Sequence, residues 1–185
     1  MKLYVIRHGQ TDWNLANKTQ GKTDIELNST GIEQAKNAKE KIEKLNIDVI
    51  ISSPLKRAKK TAEIINEKNN CKVIYDKALE ERGFGNIEGL SIEEVKKDLK
   101  ERENYNDYNL NLKGDNVEPV RDLCDRVWGL LDKIKQEYQG KNVLLVTHGG
   151  TSRAINAYFN GIGEDGILVS PQMRNCEIKE YQYKD

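Results

Sequence analysis

Histidine is scarce in this 185-residue chain. There are two, His8 and His148, and each is followed by glycine near the end of an apolar, β-like run. Cysteine is hardly commoner. Cys71, Cys124 and Cys176 are odd in number and widely spaced, which argues against a disulfide framework or a zinc cluster and makes a reducing cytoplasm the expected compartment. Net charge is missing altogether, because 30 Lys and Arg balance 30 Asp and Glu. That excludes broad electrostatic adhesion to nucleic acid or to an anionic membrane, while leaving room for a local basic pocket. No apolar run approaches the ~20 residues of a membrane span, and the mean hydropathy is −0.77. The start, Met1 to His8, carries an apolar stretch too short for a secretory signal and ended by charge. Repeats, low-complexity tracts and Pro/Gly/Ser-rich linkers are lacking too. The expectation is one domain over residues 1–185, long enough to bury a sizeable core.

What is present is an alternation of short apolar runs and helical periodicity. Leu3 to Ile6, Val49 to Ile51, Lys72 to Tyr75 and Val143 to Thr147 read as strands. The first, second and fourth are almost continuously apolar, as strands buried on both faces of a parallel sheet should be. A weaker alternation from Cys176 to Tyr183 reads as a late edge strand, able to pair with a second copy in a homodimer. Between the strands, Asn28 to Glu33 offers helix-capping oxygens, with Thr30 and Glu33 fitting a capping box. Ala35, Ala38, Ile42 and Leu45 then share one face. Ser53-Pro54 is a second start signal, with Ser as cap, followed by a stripe of Leu55, Ala58, Ala62 and Ile65. A third helix follows Asn116, with Val120, Leu123, Val127, Leu130, Ile134 and Tyr138 inward. Strand and helix in alternation mean an α/β fold with a mostly parallel sheet. Residues 91–116 are dense in Lys, Glu and Asn, and read as a solvated helix and loop, or as a cap segment over a pocket with Tyr105 and Tyr108 as contacts.

Ligands of open parallel α/β sheets bind outside the carboxyl ends of the strands. This chain places Arg7 and His8 after its first strand, Ser52, Ser53 and then Arg57 after its second, Glu80, Glu81 and Arg82 after its third, and His148, Gly149 and Gly150 after its fourth. Taken singly, each has an ordinary explanation as a hydrogen-bonded turn or a surface charge; it is the four strand ends together that point to one site. Guanidinium groups suit a tetrahedral oxyanion, and an imidazole between two of them is kept neutral by their charge. A neutral imidazole nitrogen can attack phosphorus and hold the phosphoryl group covalently. A carboxyl group can protonate the leaving oxygen and then take a proton from water. The arginines already supply positive charge, and no metal-ligand spacing is evident, so neither a metal nor another cofactor is expected.

Leu3-Tyr4-Val5-Ile6-Arg7-His8-Gly9-Gln10-Thr11-Asp12-Trp13-Asn14 resembles the opening signature of the histidine phosphatase superfamily, with its phosphoglycerate mutase-like fold. Gln20-Gly21, Leu27 with Gly31, Ser52 to Ala58 with Thr61-Ala62, Leu79 to Arg82 with Phe84-Gly85, Glu88-Gly89, and Val146 to Gly150 follow in the family's order along about the whole chain. The resemblance implies a three-layer sandwich with His8 as phosphorylated nucleophile. It implies Arg7, Arg57 and His148 on the phosphoryl oxygens, assisted by Asn14 and the Gly149 backbone, with Gln20 and Gly21 lining the pocket. Glu81 matches the proton donor, with Glu80 beside it as the rival. Asn14 has a second reading, as a cap of the turn after Trp13. Trp13 and Trp128 read as packing residues, Arg153 as a structural ion-pair partner and Cys124 as a small core residue. Gly114-Asp115-Asn116 stands where many members carry Gly-Glu-Ser; Asn still suits a helix cap.

The resemblance spans phosphatases and cofactor-dependent phosphoglycerate mutases. A mutase must keep its intermediate from water, and mutases resemble this core plus a longer basic insertion. Here about thirty residues separate Glu88-Gly89 from the helix near Pro119, with basic and acidic residues interleaved. The expectation is therefore a phosphatase acting on a small phosphate ester. A mutase is the alternative, and a catalytically weak phosphate-sensing or protein-binding module is the second.

Overall fold

A computed structural model describes residues 1–99, 116–164, 166–168 and 173–183. Five strands, β1 (Lys2–Arg7), β2 (Val49–Ser52), β3 (Lys72–Tyr75), β4 (Asn142–Thr147) and β5 (Ile178–Gln182), form one sheet in the order β3-β2-β4-β1-β5. All pairings are parallel except that of β5, which runs antiparallel along β1. The four predicted parallel strands and the late edge strand are all present, displaced by a residue or two at their ends.

The continuous apolar runs are buried on both faces, as their composition requires. Leu3, Val5, Val49, Ile51, Val143 and Leu145 face one side, under α5 (Val120–Glu137) and α6 (Gly149–Asn160). Tyr4, Ile6, Ile50, Leu144 and Val146 face the other, under α2 (Ser29–Ile42) and α3 (Lys56–Asn66). The period of two along each strand thus divides the core into two layers of helix around one of sheet. Each fully buried Leu or Ile contributes about 2 kcal/mol, so the three central strands hold the sandwich together. β3 is half-buried and lies at the edge. Two shorter helices among the described residues are α1 (Asp12–Leu15) and α4 (Ile92–Leu99).

The helix faces follow the predicted stripes, but three starts differ. Asn28, not Thr30, caps α2: its side chain accepts from Gly31 N–H at 2.9 Å, which leaves Thr30 inside the helix. α3 begins at Lys56 with Leu55 at the cap position, because Ser53 Oγ is spent on the N–H of Leu55 and on His148. α5 begins after Pro119, whose ring fixes the entry backbone. Asn116 lies four residues before the first residue of α5, in the left-handed region at φ 55°, and is not its cap. Of the cap segment expected over 91–116, residues 91–99 and 116 are described. Tyr105 and Tyr108 lie outside the described residues. α4 starts at the rim of the site, where it and the residues before it are tied to the segment after α1 by Ile92 N–H on Asn17 O at 2.9 Å and Thr19 N–H on Leu90 O at 2.9 Å. Among the described residues no helix is long and apolar enough to cross a membrane.

Candidate active site

Register brings the strand ends level. Arg7 pairs with Thr147 and Ser52 with Val146, while His8 N–H reaches Thr147 O at 2.9 Å and Ser53 N–H reaches Val146 O at 3.0 Å. Because β4 lies between β1 and β2, His148 comes up between His8 and Arg57. The two imidazole rings stand 5.1 Å apart between centroids, tilted by 57°.

His8 is 2% exposed, and its Nδ1 lies 2.6 Å from the carbonyl oxygen of Gly9. A carbonyl only accepts, so Nδ1 carries the proton and Nε2 is left with a lone pair. Burial lowers the His8 imidazole well below its ordinary value, and the charges of Arg57 and then Arg7 push it the same way. His148 is likewise drawn well down, by burial and then by Arg57. Its Nδ1 accepts from Arg57 Nε at 3.2 Å, which assigns the proton to Nε2, 2.8 Å from Ser53 Oγ.

Arg57 is a fully buried guanidinium in the first turn of α3. Besides His148, it is held by the carbonyls of Thr23 and Gly21, at 2.8 and 2.7 Å. Burial brings it down to about 10, against the pull of Glu81, so it stays charged at neutral pH. Gly21 has φ +54°, and a Cβ on it would run into the Glu88 carboxylate; the position needs glycine twice over. Arg7, at the end of β1, spends Nη1 on Met173 O at 2.7 Å.

Glu81 is held by the amino end of α6. Its Oε2 accepts from Gly150 N–H at 3.0 Å, and its Oε1 accepts from Thr151 N–H at 3.0 Å and Arg82 N–H at 2.9 Å. A carboxylate suits a helix amino terminus, where unpaired N–H groups converge. Glu80 points elsewhere, 4.0 Å from Lys22 Nζ. Asn14 closes a capping box on α1 with Thr11, whose Oγ1 accepts from Asn14 N–H at 3.1 Å, and Gln20 Oε1 accepts from the same Thr11 hydroxyl at 3.0 Å.

These groups surround a cavity of about 460 Å³ whose wall includes Arg7, His8, Asn14, Gln20, Gly21, Arg57 and Glu81. Of the nine predicted site residues, the structure places seven in the wall and buries His148 against His8 and Arg57. Gly149 opens α6 and is buried, while its neighbour Gly150 reaches the wall. Trp13, read as packing, does both, lining the cavity while its ring packs over Gly89. Trp128 packs on the core and bonds Ala154 O at 2.9 Å, and Cys124 is fully buried in it. Arg153, expected as an ion-pair partner, makes no ion pair among the described residues and lines the cavity. Among the described residues there is no cluster of three or more His, Cys, Asp or Glu that could hold a metal ion.

Sequence reasoning missed the supports. Arg126 spends Nη1 on the carbonyls of Ala78 and Glu80, at 2.8 and 2.9 Å, Nη2 on the carbonyl of Glu81 and the carboxylate Oε2 of Glu118, and Nε on Glu118 Oε1 at 2.6 Å. It is a charge beside the apolar stripe of α5, a weak signal on its own. Asn175, from the turn before β5, bonds His8 O at 2.9 Å and had no signal at all.

Residues 3–185 match the histidine phosphatase superfamily (branch 1). The chain belongs to that family. It is a phosphoric monoester hydrolase of the histidine-phosphatase type. A relative in Bacillus subtilis (strain 168), the uncharacterized phosphatase PhoE, is 40% identical over 97% of this chain and 90% of its own length. The probable phosphoglycerate mutase GpmB of Escherichia coli is 31% identical over 100% of this chain and 86% of its own. Among solved structures, a mycobacterial glucosyl-3-phosphoglycerate phosphatase in complex with VO3 superposes with a TM-score of 0.87. It is 28% identical and shares 97% of this chain and 91% of its own. Both family names thus occur among the relatives of this histidine phosphatase, and the sandwich is the family's fold.

Proposed function

We propose that the protein hydrolyses a small phosphorylated metabolite without a metal, through a phosphohistidine on His8. The observation that carries this reading is the His8 ring. Its Nδ1 proton is fixed on Gly9 O at 2.6 Å, so Nε2 carries the lone pair, in a cavity shared with the guanidinium groups of Arg7 and Arg57 and the carboxyl group of Glu81. Nε2 attacks phosphorus while Arg7 and Arg57 take up charge on the equatorial oxygens. The P–O ester bond breaks, and the departing oxygen takes its proton from Glu81. Water then gives a proton to Glu81 and attacks the phosphohistidine; the P–N bond breaks, releasing inorganic phosphate and neutral His8. Asn14, Gln20, Gly21 and the Gly149 backbone complete the surroundings of the phosphoryl group. His148 keeps Arg57 in place through its Nδ1 and stands against His8. The arginines supply the charge a metal would otherwise bring.

The named phosphatase among the solved structures supports hydrolysis over transfer between two substrate oxygens, and the mutase-named relative makes transfer the reading to test against. Purified protein should release phosphate from an aryl phosphate in the presence of EDTA and form an acid-labile, alkali-stable phosphoenzyme. His8→Ala should abolish that species. Conversion of 3- to 2-phosphoglycerate dependent on 2,3-bisphosphoglycerate, without phosphate release, would decide for a mutase. Tight phosphopeptide binding with no turnover would decide for a sensing module.

The three free thiols support a cytoplasmic location, and the balanced charge supports the absence of a nucleic-acid partner. The outer edge of β5 is the natural seam of a homodimer; a sedimentation mass equal to one chain would dismiss it.

A further inference from the structure

The turn before β5 is bent toward the site. Arg174 to Glu177 form a tight turn, closed by Glu177 N–H on Arg174 O at 3.1 Å and by the Glu177 carboxylate on Arg174 N–H at 2.7 Å. Its third position is Cys176, at φ 55°, a place that ordinarily goes to glycine or asparagine. Cys176 N–H donates to Arg7 O at 2.9 Å, and Arg7 N–H donates to Glu177 O at 3.4 Å. Two residues on the β5 side thus oppose one on β1. That is a β-bulge, a device that re-aims side chains beside active sites. The side chain it aims is that of Asn175.

Asn175 lines the cavity, and its one amide nitrogen reaches two acceptors, His8 O at 2.9 Å and Asn14 Oδ1 at 3.3 Å. Chemistry fixes both amides. A carbonyl only accepts, so Asn175 presents Nδ2 to His8. Thr11 N–H only donates, at 3.1 Å, so Asn14 presents Oδ1 to Thr11 and to Asn175. Asn14 Nδ2 is left without a partner among the described residues, on a side chain of the cavity wall. Every other hydrogen bond of the Asn14 side chain stays within α1 and its cap. Asn175 is therefore its link to the nucleophile. Thr61 Oγ1 accepts Gly9 N–H at 3.1 Å, so Asn175 and Thr61 hold the two ends of the His8–Gly9 peptide.

We propose that Asn175 is a positioning residue for phosphoryl transfer: it braces Asn14 against the backbone of His8, so that Asn14 Nδ2 donates to the phosphoryl group that His8 Nε2 attacks. This rests on the phosphatase reading above and extends it to a residue with no reacting atom of its own. Two hydrogens on one nitrogen set the spacing between donor and nucleophile.

The test is a cycle of Asn175→Ala, Asn14→Ala and both together, read in kcat/KM for an aryl phosphate and in the dissociation constant of inorganic phosphate. Each single substitution should weaken both by about tenfold, as expected for one charge-assisted hydrogen bond. The double variant should be within about threefold of either single one, because the brace then has nothing to hold. Asn175→Asp fills the same space at neutral pH and cannot donate, so it should lose as much as alanine; a packing role would leave it near the wild type. Losses that multiply in the double variant overturn the proposal. So does an Asn175→Ala or Asn175→Asp protein that melts and turns over like the wild type. Wild-type protein decides even if the variants do not fold. Inorganic phosphate should shift the Asn14 side-chain amide resonance and move that of Asn175 less, and the reverse order overturns the brace. Absence of hydrolysis and of phosphoenzyme, with the cycle on phosphate binding as expected, removes the phosphatase reading and keeps the brace. Normal hydrolysis with multiplying losses removes the brace alone.

Discussion

Glu81 hangs from the first turn of α6, its Oε2 3.0 Å from the N–H of Gly150. A Cβ on Gly150 would meet Glu81 Oε1 at 2.6 Å, closer than packed atoms approach. Gly150→Ala should therefore displace the carboxylate and lower kcat by about 100-fold, the usual contribution of a general acid. Folding should survive, because alanine is the better helix former by about 1 kcal/mol. A variant with wild-type kcat would mean that Glu81 does not transfer the proton from this position.

Arg126 should matter to catalysis without touching substrate. It binds the carbonyls of Ala78, Glu80 and Glu81 and both oxygens of Glu118. Burial pushes the Glu118 carboxyl up, and the hydrogen bond and charge of Arg126, with the Gly83 N–H and the charge of Lys22, together more than offset that. Arg126→Met would strand this carboxylate and release the loop carrying Glu81. The expected losses are about 3 kcal/mol in urea unfolding and about tenfold in kcat. Adding Glu118→Gln should restore part of the stability, since the uncompensated charge goes with it. Strict additivity of the two substitutions would show that the pair is not coupled.

Glu88 works one step further from the chemistry. Its carboxylate collects the N–H groups of Lys22, Thr23 and Phe84, at 3.0, 2.9 and 2.9 Å. The same loop offers Arg57 the carbonyls of Gly21 and Thr23. In Glu88→Gln an amide N–H₂ faces converging donors, and the loop must shift. The inhibition constant for inorganic phosphate should rise about tenfold, as expected for a misplaced charge-assisted contact, while kcat falls less. Unchanged phosphate inhibition would separate Glu88 from the support of Arg57.

Stability should fall on mild acidification. His8 and His148 are both held well below the ordinary imidazole value by burial, with Arg57 adding to it. Near pH 6.5 the unfolded chain takes up protons that the native state refuses. Their contribution is therefore present above that pH and lost below it. In that window each histidine should cost up to about 1.4 kcal/mol per pH unit. Urea midpoints at pH 7.5 and 5.5 give the measurement, and His148→Asn should remove about half of the dependence. A midpoint constant over this range would show that the two rings are protonated in the folded state.

The fold was largely legible because its signals are local. Val49 to Ile51 and Val143 to Thr147 are apolar without alternation, which only a strand covered on both faces tolerates. The helix stripes were legible for the same reason. Helix starts were not, since an N-cap is decided by competition for one oxygen. Ser53 Oγ serves His148 and Leu55, and Asn28 outcompetes Thr30.

The sequence by itself determined which residues stand at the strand ends: Arg7 and His8, Arg57, Glu81 and His148 each follow their strand within a few positions, and chain connectivity leaves them no other end of the sheet. It could not decide that β4 slots between β1 and β2, because strand order follows from long-range packing that no local pattern encodes. That insertion puts the two histidines 5.1 Å apart and turns His148 toward Arg57. It could not separate Glu81 from Glu80 on chemistry either, as adjacent carboxylates have the same composition. The first turn of α6 separates them, because its free N–H groups can reach only one.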